Sequence, residues 1–403
     1  MALALGVLLV ASLVAVVVVP RILEPTPIVP TADGPIAFGD DRCGLVAVDP
    51  ATAIQTVIAG PVDGCPGREQ ATAPFAGLSY LDVTGSADGR SVAYGRVLFC
   101  GGCVSTPTEA ALAAQGAYLF DRATGTTERL DDCRSERCWF RVATSPDGRY
   151  VAYTQSPYRV SAEPAPDPVT IVDRISGTRA TWAQRSVVGL TWAHAGRSLA
   201  VIETDPCHPA DMSACNDEDE VVVLSADARQ HRSVATFDSA TTVTWSADDR
   251  SLLTVSEGRD PAATPVGTVT TRRVDVATGR MTTLFTVPAS YGMASWSPDG
   301  SRFVYQVTEA SMGESVMVAN VDGTARQLTH GLILTAPIWS PSGDSILMQG
   351  TEIPVRMGTD SRFRVGDEGP KRTGIFIIPV DGGAITMVAE AGDAASGWLA
   401  GPP

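Results

Sequence analysis

Apolar and polar positions along this chain fall into short alternating runs broken by turn residues. Ser91-Val-Ala-Tyr94, Tyr150-Val-Ala-Tyr153, Ser198-Leu-Ala-Val201 and Ser345-Ile-Leu-Met348 are such runs. They are rich in β-branched and aromatic side chains, which suit a pleated, half-buried surface, so each predicts a strand. Sustained helical periodicity is confined to the N-terminus, which leaves an α/β reading poor. A turn phrase precedes each run. Its fullest copy is Trp296-Ser297-Pro298-Asp299-Gly300. Pro presets φ, Asp bonds its own backbone and Gly accepts positive φ, so the phrase closes a hairpin.

The phrase recurs. Weaker copies are Ser86-Ala87-Asp88-Gly89, Ser145-Pro146-Asp147-Gly148, Trp192-Ala193-His194-Ala195-Gly196, Trp245-Ser246-Ala247-Asp248-Asp249 and Trp339-Ser340-Pro341-Ser342-Gly343. A self-similar unit of about 50 residues is the mark of a repeat architecture. Two further strands follow in most units, with turns such as Ala123-Thr-Gly125, Val321-Asp-Gly323 and Val380-Asp-Gly382 between them. Four short antiparallel strands per repeat make the blade of a β-propeller. Counting gives an all-β, seven-bladed ring, six-bladed if residues 34–58 pack elsewhere. The first unit lacks its first strand, and Ser396-Gly-Trp-Leu-Ala400 resembles a first strand with nothing after it. That C-terminal strand is expected to complete blade one and remove the sheet edges. The aligned Trp192, Trp245, Trp296 and Trp339 are expected in the blade core rather than on a stacking platform. The Asp residues of the turns are expected to be structural.

With these turns the stretch 34–401 resembles the TolB-like group of propellers, whose WD40-like units carry the same Trp-Ser-Pro-Asp-Gly phrase. The motif is specific for fold and unspecific for function. Gly85 and Thr144 depart from it at the Trp position. TolB itself is described as six-bladed with an extra N-terminal domain. Neither feature is seen here, so the resemblance does not carry over a role in a Pal complex.

Residues 1–19 hold an uncharged apolar run, Ala2 to Val19, long enough for a bilayer span and without a small-x-small cleavage site after it. The expectation is a single uncleaved transmembrane helix. A Pro-rich linker, 20–33, follows, then the propeller, 34–403. This puts the propeller on the extracytoplasmic side of a cell membrane. The run has no Lys or Arg before it, which is unusual for an anchor and leaves open a start upstream of Met1.

Eight Cys residues fall in local pairs: Cys43 with Cys65, Cys100 with Cys103, Cys133 with Cys138, and Cys207 with Cys215. An even count beside an export segment points to disulfides. Cys100, Cys103, Cys133 and Cys138 as a zinc site is the competing reading; no metal and no cofactor is the expectation. By strand order all eight fall on one face, opposite the Pro-Asp-Gly turns, together with the long insertions.

The formal net charge of −15 disfavours nucleic acid. The sequence carries no Gly-x-Ser-x-Gly elbow, Walker loop or dinucleotide fingerprint. Of four His residues, His194, His231 and His330 are expected on the surface. His208 lies in an acidic stretch with Asp205, Asp217, Glu218, Asp219 and Glu220, the candidate binding residues for a cation or a basic partner. The leading expectation is a non-enzymatic module binding a protein or peptide. The rivals are an enzyme acting on a carbohydrate or lactone, and the sensor domain of an envelope signalling protein.

Overall fold

The computed structural model describes residues 33–39, 44–62, 76–100, 108–133, 138–157, 166–204, 218–238, 240–258, 268–288, 294–309, 313–329, 332–334, 337–352, 355–357, 363–365, 372–389 and 396–400. The anchor and linker, 1–32, lie outside them; among the described residues no helix is long and apolar enough to cross a membrane.

Strand pairing resolves into seven antiparallel blades. Blade 2 is Ala76–Gly85, Ser91–Cys100, Gly116–Asp121 and Thr126–Asp132. Blade 3 runs from Cys138–Thr144 to Arg179–Trp182, blade 4 from Ser186–Trp192 to His231–Phe237, and blade 5 from Ala240–Trp245 to Met281–Pro288. Blade 6 runs from Ala294–Trp296 to Ala325–Gln327, and blade 7 from Ile338–Trp339 to Thr386–Ala389. Blade 1 holds Asp33–Gly39, Leu45–Val48 and Gln55–Ala59, and its first strand is the C-terminal Ser396–Ala400. Ala37 stands opposite Gly397 and Ile36 opposite Trp398, so the two ends of the described chain share one sheet.

The first strands of successive blades touch one another in a closed circuit of seven, back to Ser396–Ala400. They are the innermost strands. The fourth strands, such as Thr126–Asp132 and Ala325–Gln327, are mostly exposed and form the rim. The core lies in the seams rather than within blades. Seven hydrophobic clusters form, and each joins two neighbouring blades. Ala152 and Ile171 of blade 3 meet Leu199 and Val201 of blade 4, for example. Closing blade 7 on blade 1 brings Leu347 and Ile375 against Ile36 and Phe38.

The turn phrase does two jobs. Its Ser is buried and bonds both ways: Ser145 Oγ donates to Asp147 and accepts from the Tyr150 amide, and Ser297 repeats this with Asp299 and Arg302. The Gly of the copies in blades 2, 3, 4, 6 and 7 has φ between 66° and 77°, which only glycine adopts freely. Blade 5 has Asp249 there, at φ 56°. Its carboxylate accepts from the backbone amides of His194 and Ala195 in the neighbouring turn, which offsets the strain. Other turns are bonded too: Ala87 N–H to Pro146 O, Arg302 to Gly343 O, and Ser342 N–H to Asp33.

The four aligned Trp residues, Trp192, Trp245, Trp296 and Trp339, are buried, and three latch one blade to the one before. Trp192 Nε1 donates to Ala143 O, Trp245 Nε1 to Thr191 O and Trp339 Nε1 to Ser295 O, each at 3.1 Å. Trp296 Nε1 has no partner. Replacing Trp192, Trp245 or Trp339 by Phe is therefore expected to cost about 1–2 kcal/mol more than Trp296→Phe, because only those three leave a carbonyl unpaired. Thermal melts of the four variants read this directly; equal losses would sink it. At Gly85, which departs from Trp, an added Cβ would stand 3.2 Å from the Leu399 side chain. The closing strand fills the space that Trp takes elsewhere.

Two features lie beyond the sequence reading. A short helix, Glu109–Ala113, sits between the second and third strands of blade 2. Leu332–Leu334 pairs with both Glu314 and Thr351, among others, and so stitches blades 6 and 7 into one sheet.

Candidate functional site

Antiparallel order puts the connections between second and third strands, and between blades, on one face. The described insertions there are the helix Glu109–Ala113 and the hairpin of Val355–Met357 with Phe363–Val365. The connection from blade 2 to blade 3 is closed by the disulfide Cys133–Cys138. Gln155 ties this corner to Asp132 O at 2.8 Å and to Cys138 Sγ. The pairings Cys43–Cys65, Cys100–Cys103 and Cys207–Cys215 involve residues outside the described set. For the short loop it closes, the Cys133–Cys138 bond is worth about 2 kcal/mol of chain entropy. Reduction is expected to lower the melting temperature by that measure without loss of strand content. Circular dichroism with and without reductant checks it.

Cys138 begins the innermost strand of blade 3, which carries Arg141. Arg141 Nη1 meets Asp82 Oδ1 of the innermost strand of blade 2 at 3.2 Å. The register of that strand shifts between Tyr80 and Val83, so Asp82 sits in a bulge that re-aims its side chain. Burial pushes the Asp82 carboxyl up, and Arg141 pulls it back. About half of the Arg141 side chain is exposed, although it lies on an innermost strand, so it borders the central channel.

A second cluster lies at the loop-side end of the seam between blades 3 and 4. Glu203, one residue from the end of its strand, is fully buried, and neither carboxylate oxygen has a hydrogen-bond partner. Its cross-strand neighbour is Glu220. Arg185, from the connection between the two blades, donates to Glu218 O at 2.7 Å and stands 3.9 Å from Glu220. Burial pushes the Glu203 carboxyl up to about 7; the Arg185 amide opposes that, Glu220 adds to it, and the Arg185 charge opposes it. From blade 3, Asp167 accepts from Ser156 Oγ at 2.5 Å, and Thr154 is buried with its hydroxyl unpartnered.

The expected binding residues are only partly described. Asp205, His208 and Asp217 lie outside the described set. Glu218 is exposed just before a strand, and Asp219 and Glu220 begin that strand. Asp219 is buried and accepts from the Ala240 amide at 2.7 Å, which holds the connection to blade 5. Asp82, Arg141, Arg185 and Glu203 escaped the sequence reading. Glu203 left one trace, a charge at the end of the apolar run Ser198–Ile202.

On the turn side a groove of about 420 Å³ separates the outer strands of blade 3 from the turn Ala226–Arg229. Its charges are largely spoken for: Asp173 is held by Arg149, and Arg179 donates to Leu130 O and Tyr153.

No protein-family model matches the chain, and no curated protein matches it in sequence. Solved structures do match. An oligogalacturonate lyase in complex with manganese aligns at a TM-score of 0.53 and 14% identity, over 83% of this chain and 82% of its own. A prolyl endopeptidase aligns at 0.54 and 13%, over 90% of this chain, which spans half of that enzyme. TolB from Acinetobacter baumannii aligns at 0.43 and 17%, over 75% of this chain and 66% of its own. At such identities the likeness speaks for the fold alone. TolB proteins are among the solved structures that align.

Proposed function

We propose that this chain is a binding module whose loop-bearing face docks a protein or peptide, with no chemistry of its own. One observation carries the reading. The described insertions and the disulfide sit on a single face of a closed ring, and the opposite face is closed by turns bonded largely to each other. Long connections on a rigid scaffold are where recognition resides, and short turns mainly connect. In this reading residues 1–19 anchor the module and the propeller faces away from the cytoplasm.

The test is photo-crosslinking in the native host. Probes go at Glu109 and Glu218 on the loop face, and at Ile54 and Ile175 on the turn face; all four positions are exposed. Adducts to a discrete partner are expected from the first pair and not from the second. Adducts from the turn face alone would overturn the reading.

A second reading, an enzyme acting on a carbohydrate, draws on the Asp82–Arg141 pair, since a carboxyl held up by burial can deliver a proton. It predicts that Asp82→Asn stops turnover of an acidic oligosaccharide and leaves partner capture intact.

A further inference from the structure

The seam between blades 3 and 4 changes character along its length. From blade 3, strand alternation presents Ala152, Thr154 and Ser156; from blade 4 it presents Leu199, Val201 and Glu203. The members nearer the turns, Ala152, Leu199 and Val201, belong to one apolar cluster. Toward the loop face both rows become polar. Thr154 and Glu203 are 1% and 0% exposed; the Thr154 hydroxyl and both Glu203 oxygens lack a well-formed hydrogen bond, the Arg185 amide only approaching the carboxylate. A buried polar group without a partner costs several times what an ordinary hydrogen bond gains, and a buried carboxylate costs more. Two of them at one end of one seam mark a place built for something that brings hydrogen-bond donors and positive charge.

We infer that this loop-side mouth seats a cationic side chain of the docking partner, a lysine ammonium or arginine guanidinium, against Glu203 and Thr154. The inference rests on the loop-bearing face being the docking face, and it names the chemistry recognised there. The charges around the seat agree. Glu203 and Glu220 are cross-strand neighbours in blade 4, Asp167 of blade 3 accepts from Ser156 on the facing strand row, and among the described residues Arg185 is the cation that acts on Glu203 and Glu220. Arg185 is held by its donation to Glu218 O and reaches Glu220 only loosely, at 3.9 Å. Its amide and charge both act on Glu203, so the seat already favours positive charge, and a partner's cation would compete with Arg185 there. Among the described residues no three acidic, His or Cys side chains converge as metal ligands. An ammonium or guanidinium, which carries its own donors, suits the seat better. The cation must meet an ionised Glu203, whose carboxyl is held up to about 7, so binding should strengthen as pH rises through that value.

The test is calorimetric titration of the full chain with three blocked tripeptides, Gly-Lys-Gly, Gly-Arg-Gly and Gly-norleucine-Gly. The Lys and Arg peptides are expected to bind wild type at about pH 8 and at least about tenfold more weakly at about pH 5. Glu203→Gln should weaken them by about tenfold or more at the higher pH, and the norleucine peptide should be silent. Thr154→Val is a second variant, with a smaller loss expected. Circular dichroism confirms that each variant is folded. Silence of all three peptides toward wild type would mean that water alone fills the seat, and would overturn the inference. Equal binding to wild type and Glu203→Gln would overturn it too, by placing the attraction on the acidic face at large. Either result with loop-face crosslinks intact defeats this site and spares the docking face; loss of those crosslinks defeats the docking face itself.

Discussion

Deletion of residues 396–403 is expected to unfold the ring rather than trim it. Ser396–Ala400 is the innermost strand of blade 1, and it is the last element of the described chain paired with the first. It buries Leu399 and Ala400, and Trp398 Nε1 donates to Gly34 O at 3.1 Å. Its packing against blade 2 is tight: a Cβ on Gly397 would stand 2.5 Å from Val83 O. Removing it strips a ladder from Asp33–Gly39 and opens seams on both sides of blade 1. The loss should exceed about 4–5 kcal/mol, the exceptional class for local changes. Melting with circular dichroism reads it, and a truncated protein that melts like the full chain would refute strand closure.

Glu203→Gln is expected to stabilise the propeller at alkaline pH and to do little in acid. Folding holds the Glu203 proton up to about 7, whereas the unfolded chain releases it near 4.5. Between those values the folded state binds more protons, so wild-type stability falls as pH rises, and it levels off above about 7. Burial drives this, and Glu220 adds to it; the amide and charge of Arg185 oppose it. Gln does not ionise and escapes the loss. The gap corresponds to roughly 3 kcal/mol at about pH 8, vanishing below about pH 4. Denaturant titrations of both proteins across this range decide the matter; a difference independent of pH would show that Glu203 titrates as in the unfolded chain.

The repeat made the ring legible because its signal is local. A Ser-Pro-Asp-Gly turn must bond to itself whatever surrounds it, and the alternation after it fixes which side chains enter a seam. That is why the blade count, the closing strand and the core positions of the Trp residues could be read from residues alone. The departures made sense only in space. Gly85 is small because Leu399 arrives from the far end of the chain, and Asp249 survives at positive φ because a neighbouring turn binds it. The site was less legible for the same reason. Asp82 meets Arg141 only because a bulge turns it, and a bulge has no period. Glu203 and Thr154 belong to different strands and Arg185 to the connection between their blades, and only packing of blade 3 on blade 4 brings them to one seam. Asp219 read as a candidate binding acid; its carboxylate accepts from the Ala240 amide, and the exposed acid beside it is Glu218.

The most direct test of the docking face is the association rate of the crosslinked partner with two kinds of variant. Glu218→Lys changes the loop face only, and it should slow association several-fold, as should added salt. Asp147→Asn and Asp299→Asn weaken turn caps on the opposite face. They should lower the melting temperature and leave association unchanged in folded protein. If the turn variants abolish binding and Glu218→Lys does not, the partner docks on the other face and the account is wrong.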